Sequence, residues 1–182
     1  SMGESPVTLE ARRGGALAYD LQRASDLARP ARSAAHWEFG AIRGRLTELV
    51  GAADSANLSS AIRLMLQAQT AGEFAAWVAT HRDAFFPPDV AAAGIDLAAL
   101  PVVWALPDSL GGAAASAPRT ADAAARAAER LLRSGAFGLV IVDLARDLAI
   151  GAPSQGRLLR LAEHHDAAVV IVRRKRRDGI YS

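Results

Sequence analysis

Three segments of the chain hold residues whose types and spacing could do chemistry. The first is Gly51-Ala-Ala-Asp-Ser-Ala-Asn-Leu-Ser59, which follows an apolar run and opens a helical stretch. A phosphate-binding loop in that place reads G-x-x-x-x-G-K-[ST]: glycines let backbone amides wrap a phosphate, the lysine reaches the β and γ phosphates, and the hydroxyl holds magnesium. Gly51 is kept, but Ala56 stands at the second glycine, Asn57 at the lysine and Leu58 at the hydroxyl, with Ser59 one place late. A neutral amide cannot replace a cation beside a triphosphate, and Leu58 cannot ligate a metal. The segment therefore reads as a strand-to-helix turn with Asp54 or Ser55 capping the helix. The second is Asp143, at the end of Gly138-Leu-Val-Ile-Val-Asp143, where a magnesium-associated acid would stand and where a helix cap or loop acid is also common. The third is Arg173-Arg174-Lys175-Arg176-Arg177, which follows the apolar run Ala168-Val-Val-Ile-Val172 directly. Its candidate roles are contact with nucleic-acid phosphates, which suits bidentate arginine, docking of an acidic protein, or a solvated tail.

The remaining titratable residues offer less. His81, in Ala79-Thr-His-Arg-Asp83, is the one candidate for a base that activates water, although a lone loop histidine is more often solvated. His164 and His165 end a helix, where partial positive charge suits the dipole, and adjacent helical positions cannot face one metal. Cysteine is absent, which excludes a thiol nucleophile, a disulfide framework, a zinc finger and an iron–sulfur cluster. No cofactor or metal site is expected.

Those candidates need a scaffold. The chain's 182 residues are 51% apolar, 22% charged and 5% aromatic, the balance of one globular domain. No apolar run reaches the ~18 residues that cross a bilayer, and no basic-then-apolar export signal follows Met2, so a cytoplasmic protein without membrane contact is expected. Net charge is only +2; removing the five cations 173–177 leaves −3 for the rest, so charge is concentrated and not general.

Residues 1–35 read as a helical arm of one or two amphipathic helices, with Leu9, Leu17, Leu21 and Leu27 among alanines and arginines and a stop near Pro30. Residues 36–182 form the core. Short apolar runs alternate there with helical stretches, the pattern of a parallel sheet with crossover helices. Strands are predicted at 47–50, 74–79, 101–106, 138–143 and 168–172, and helices at 57–71, from Pro87 to Gly94, at 120–134 and at 153–165, with a flexible loop over 111–118. The fold class is α/β, a three-layer α-β-α sandwich on a mostly parallel sheet, and ligands in such sheets sit at the carboxyl ends of the strands. The residues just after Val50, Ala79, Val142 and Val172 are thus the ones to weigh.

Taken in order, four stretches resemble the RecA recombinase core, a P-loop NTPase-like fold, and most closely the RecA-like ImuA family. They are Gly40-Ala-Ile-Arg-Gly-Arg-Leu-Thr-Glu-Leu-Val-Gly51, Ala76-Trp-Val-Ala-Thr-His-Arg-Asp-Ala-Phe-Phe-Pro87, Gly94-Ile-Asp-Leu-Ala-Ala-Leu100 and Arg133-Ser-Gly-Ala-Phe-Gly-Leu-Val-Ile-Val-Asp143, within a similarity that runs from about Trp37 to Lys175. The resemblance puts Asn57 at the Walker lysine, Leu58 at the magnesium hydroxyl, His81 near the catalytic glutamate, Asp143 at the Walker B acid and Arg174 near the glutamine that senses the γ-phosphate. Only the acid matches, so no ATPase activity is expected. It implies a strand order from Val102–Trp104 through Trp77, Val140–Val142 and Val170–Val172 to Leu49, and a core reduced or truncated at its C-terminal end. It further implies a bacterial protein of the DNA damage (SOS) response, acting by contact with RecA or an ImuB-containing polymerase assembly in translesion synthesis, with weak single-stranded DNA binding through 173–177. The alternatives are a SulA-like division inhibitor that binds FtsZ and a recombinase-type ATPase.

Overall fold

The computed structural model of the chain describes residues 8–13, 16–20, 38–51, 54–82, 87–106 and 117–174. Its elements in chain order are β1 (Thr8–Arg13), β2 (Ala16–Asp20), α1 (Phe39–Ile42), β3 (Leu46–Gly51), α2 (Asp54–Thr70), β4 (Phe74–Ala79), α3 (Pro87–Ala92), β5 (Val102–Trp104), α4 (Ala117–Arg133), β6 (Phe137–Asp143), α5 (Ala152–His165) and β7 (Ala168–Arg174). The seven described strands make one sheet of order β2-β1-β3-β7-β6-β4-β5. The five strands from β3 to β7 run parallel, in the order expected by resemblance.

Period-two alternation sorts the core into two layers. Leu139 and Ile141 of β6, Val170 and Val172 of β7, and Ala75 and Trp77 of β4 pack with Ala61, Leu64, Met65 and Ala68 of α2 and with Val90 of α3. Val140, Val142, Val169 and Ile171 face the other way, onto Ala124, Ala128 and Leu132 of α4 and Leu158 and Ala162 of α5. Every one of these side chains is at most 2% exposed, which is why the central strands read as unbroken apolar runs. Helices on both faces complete the three layers.

Three sequence expectations need correction. The helical arm gives way at 8–13 and 16–20 to two antiparallel strands, the first of which pairs with β3 from Thr8↔Val50 to Arg12↔Leu46. An alanine- and leucine-rich stretch favours helix on its own, but an open sheet edge supplies backbone partners that override propensity. The rest of the arm and the 111–116 part of the loop lie outside the described residues, while 117 and 118 already belong to α4. Second, α2 begins at Asp54, so Asp54 and Ser55 lie inside the helix and do not precede it. With Ala56 in place of a glycine, nothing there interrupts helix formation. Third, β7 continues through Arg174, so the first two cations of the basic run are strand residues.

At the amino edge of the sheet, Arg43 staples three elements. Its guanidinium lies 2.7 Å from Glu73 and 3.1 Å from Asp166, and it stacks over the Phe39 ring at 5.3 Å. The hydrogen bond to Glu73, above all, raises its pKa further. Asp166 ends α5 in the left-handed region (φ 50°), and its backbone N–H returns to Ala162 and Glu163. No described helix is long and apolar enough to cross a membrane.

Candidate functional site

Successive crossovers place α2 and α3 on one face and α4 and α5 on the other, and the chain leaves β4 toward β5 but leaves β6 toward β7. The adjacent carboxyl ends of β4 and β6 are therefore the switch point where an open α/β sheet presents a crevice. Thr80 ties those ends together. Its N–H and Oγ1 both donate to the Asp143 carbonyl at 3.1 Å, and its Oγ1 accepts from the Ala145 N–H at 2.7 Å.

The same alternation that sorts the core decides which charges meet. Asp143 continues the 139, 141 face, and Arg174 continues the 170, 172 face, so both turn toward the α2 side. Arg174 Nη1 lies 3.0 Å from Asp143 Oδ1 and donates to the Leu144 carbonyl at 3.3 Å. It also contacts His81 Nε2, which stands 3.4 Å from the same Asp143 oxygen. A guanidinium can only donate, so it bridges the imidazole and the carboxylate. The cluster is sequestered, with side-chain exposures of 0% for Asp143, 11% for Arg174 and 22% for His81. Asp143 Oδ2 is buried without a hydrogen-bond partner.

Arg173 turns to the opposite face, where Glu48 of β3 meets it at 3.1 Å. The two arginines are thus each committed to an acid within the sheet's own edge. Lys175, Arg176 and Arg177 lie outside the described residues.

The phosphate-loop positions are drawn into packing. Gly51 closes β3 in register with Arg174, and Ala56 lies in the first turn of α2. Asn57 is fully buried, its Nδ2 donates to the Arg173 carbonyl at 3.3 Å, and its Oδ1 has no partner. Leu58 packs against the α2-side core. An amide bonded to β7 thus stands at the lysine position, a core-packed apolar side chain at the hydroxyl position, and an arginine on the acid.

The structure therefore brings together His81, Asp143 and Arg174, with Asn57 on the same β7 end. The expectation that His81 is solvated is not met, because Arg174 covers it from 93 positions further along the chain. No local signal reveals that pairing; it needs the β6–β7–β4 neighbourhood. His164 and His165 meet edge to face at 4.7 Å at the end of α5, far in the fold from this cluster, and no described residues form a group suited to a metal.

No known protein-family model matches the chain. Over 119 residues, 65% of its length, it is 30% identical to the RecA proteins of Kineococcus radiotolerans and of Clostridium acetobutylicum, and the match spans 30% of each. Among solved structures, SulA from Pseudomonas aeruginosa superposes with a TM-score of 0.51 at 13% identity, over 72% of this chain and 98% of that one, which is a likeness of fold. A parallel sheet in the implied order, with an acid at the end of β6 and this sequence similarity, makes the chain RecA-like.

Proposed function

We propose that the chain is a catalytically degenerate RecA-like protein of ImuA type, acting in the cytoplasm by protein contact in damage-induced translesion synthesis or on RecA itself. The observation that carries this reading is the Arg174 guanidinium, 3.0 Å from Asp143, on the acid that a RecA-like ATPase would direct at its metal. A fixed internal cation there leaves no nucleotide-dependent change in charge. Asn57 and Leu58, turned to β7 and to the core, support the same reading. Without a nucleotide switch, a RecA-like surface can cap or dock to a filament but cannot drive one.

Two measurements test it. Phosphate release from ATP, with and without single-stranded DNA, should stay at background; turnover abolished by Asp143→Ala overturns the degenerate reading. The purified protein should shorten or stabilise RecA filaments, alter strand exchange, or be retained by ImuB. The SulA-like fold over nearly the whole of that chain supports a second reading, a division inhibitor. Binding to FtsZ with no effect on RecA or ImuB would favour it.

A further inference from the structure

One helical layer carries a concentration of positive charge. Helices α4 and α5 hold six arginines, Arg119, Arg126, Arg130, Arg133, Arg157 and Arg160, all exposed, against Asp122, Glu129 and Glu163. Between α4 and α5 runs a groove of about 430 Å³ lined by Arg133, Arg157, Arg160, Leu161 and His164.

This groove is more than a solvated charged face, because a nearly buried acid organises it. Glu129, 8% exposed, holds Arg157 Nε at 2.9 Å through one carboxylate oxygen and Arg133 Nη2 at 3.7 Å through the other. The Ser154 hydroxyl accepts a further bond from Arg157 Nη2 at 2.8 Å. Each guanidinium has five N–H donors, so both keep donors for an outside anion after these bonds. Arg160 stands one turn from Arg157 on the same wall, next to His164. One acid against three arginines leaves the groove positive, and it is held in shape by contacts that do not depend on a ligand.

We propose that the α4–α5 groove binds the phosphodiester backbone of nucleic acid, independently of the basic run 173–177. The groove wall itself is almost wholly apolar, made of arginine stems and Leu161, so the phosphate contacts fall to the charged ends of the arginines on the two adjacent helices, whose forks suit phosphate oxygens. No Phe, Tyr or Trp lines the groove, so bases gain little from stacking and the contact is indifferent to sequence. An acidic protein is the competing occupant, and the test separates the two.

The experiment is fluorescence anisotropy of a labelled DNA duplex with the full chain across a salt series. Glu129 offsets one of the three arginines, which leaves two net cations contributing about −1.8 to the slope of log K against log salt, at roughly −0.9 per phosphate neutralised. Arg133→Gln with Arg160→Gln should make the measured slope shallower by about 1.8 on the same basis, while Arg157 keeps its bond to Glu129. Both altered side chains are exposed, and an unchanged thermal melt verifies the fold. Arg133→Lys with Arg160→Lys keeps the charge and should restore the slope. An unchanged slope in the glutamine variant overturns the proposal. So does an absence of duplex binding at low salt, or retention of a polyglutamate peptide in preference to DNA.

Discussion

At the scale of single residues, the decisive feature is that two neighbouring arginines on one strand turn to opposite faces and each finds an acid. Removing one partner of a buried pair leaves an uncompensated charge, which costs about 3–5 kcal/mol. Arg174→Ala should therefore destabilise the fold by that order, read as a lower urea midpoint, because Asp143 is fully buried and its other oxygen is already unpartnered. Adding Asp143→Asn should recover most of the loss, since the amide carries no charge to strand. If Arg174→Ala is as stable as the parent chain, the guanidinium does not neutralise Asp143 in the fold. That result would also remove the main support for an acid locked by its own chain.

At the scale of elements, β6 carries a device that its apolar run hides. Phe74 pairs with Phe137 and Ala75 with Leu139, so Gly138 is the extra residue of a bulge between β4 and β6. A Cβ at Gly138 would stand 2.5 Å from Glu73 Oε2 and 2.9 Å from Glu73 Cβ, and only the first of these atoms can swing away. Gly138→Ala should cost about 1–3 kcal/mol by overpacking, and more than Gly40→Ala, where a Cβ would meet nothing within 4 Å. Because Glu73 also holds Arg43 at 2.7 Å, the same substitution should loosen that staple. A double-mutant cycle of Gly138→Ala with Arg43→Ala would then be less than additive. Full additivity would mean that Glu73 yields without moving its partner.

Legibility in the sequence follows from how local each signal is. The five parallel strands and the three long helices α2, α4 and α5 announce themselves, since β4, β6 and β7 are buried on both faces and must be continuously apolar, while Gly72 and Gly135 interrupt the chain after α2 and α4 at positive φ. Asn57, Leu58 and Asp143 can be picked out by their distance from strand ends. The β1–β2 pair is not legible, because its composition favours helix and its partner is an edge elsewhere in the fold. Nor is the role of Arg173 and Arg174: a run of cations looks like one unit, and only the strand's alternation divides it between Glu48 and Asp143.

For the molecule as a whole, that division changes what the basic run can contribute to DNA binding. Five free cations on single-stranded phosphates would give a salt slope of about −3.5, at roughly −0.7 per phosphate. Arg173 and Arg174 are already paired with acids inside the sheet, which leaves Lys175, Arg176 and Arg177. Their share is then about −2.1 on the same basis. Comparing the full chain with Lys175→Ala, Arg176→Ala and Arg177→Ala combined should show the single-strand slope shallower by that amount. Arg173→Ala with Arg174→Ala should show the converse, a lowered midpoint and little further change in slope. If that pair instead removes the larger share of the slope, the two arginines leave Glu48 and Asp143 when DNA binds, and the edge of the sheet itself is the binding surface.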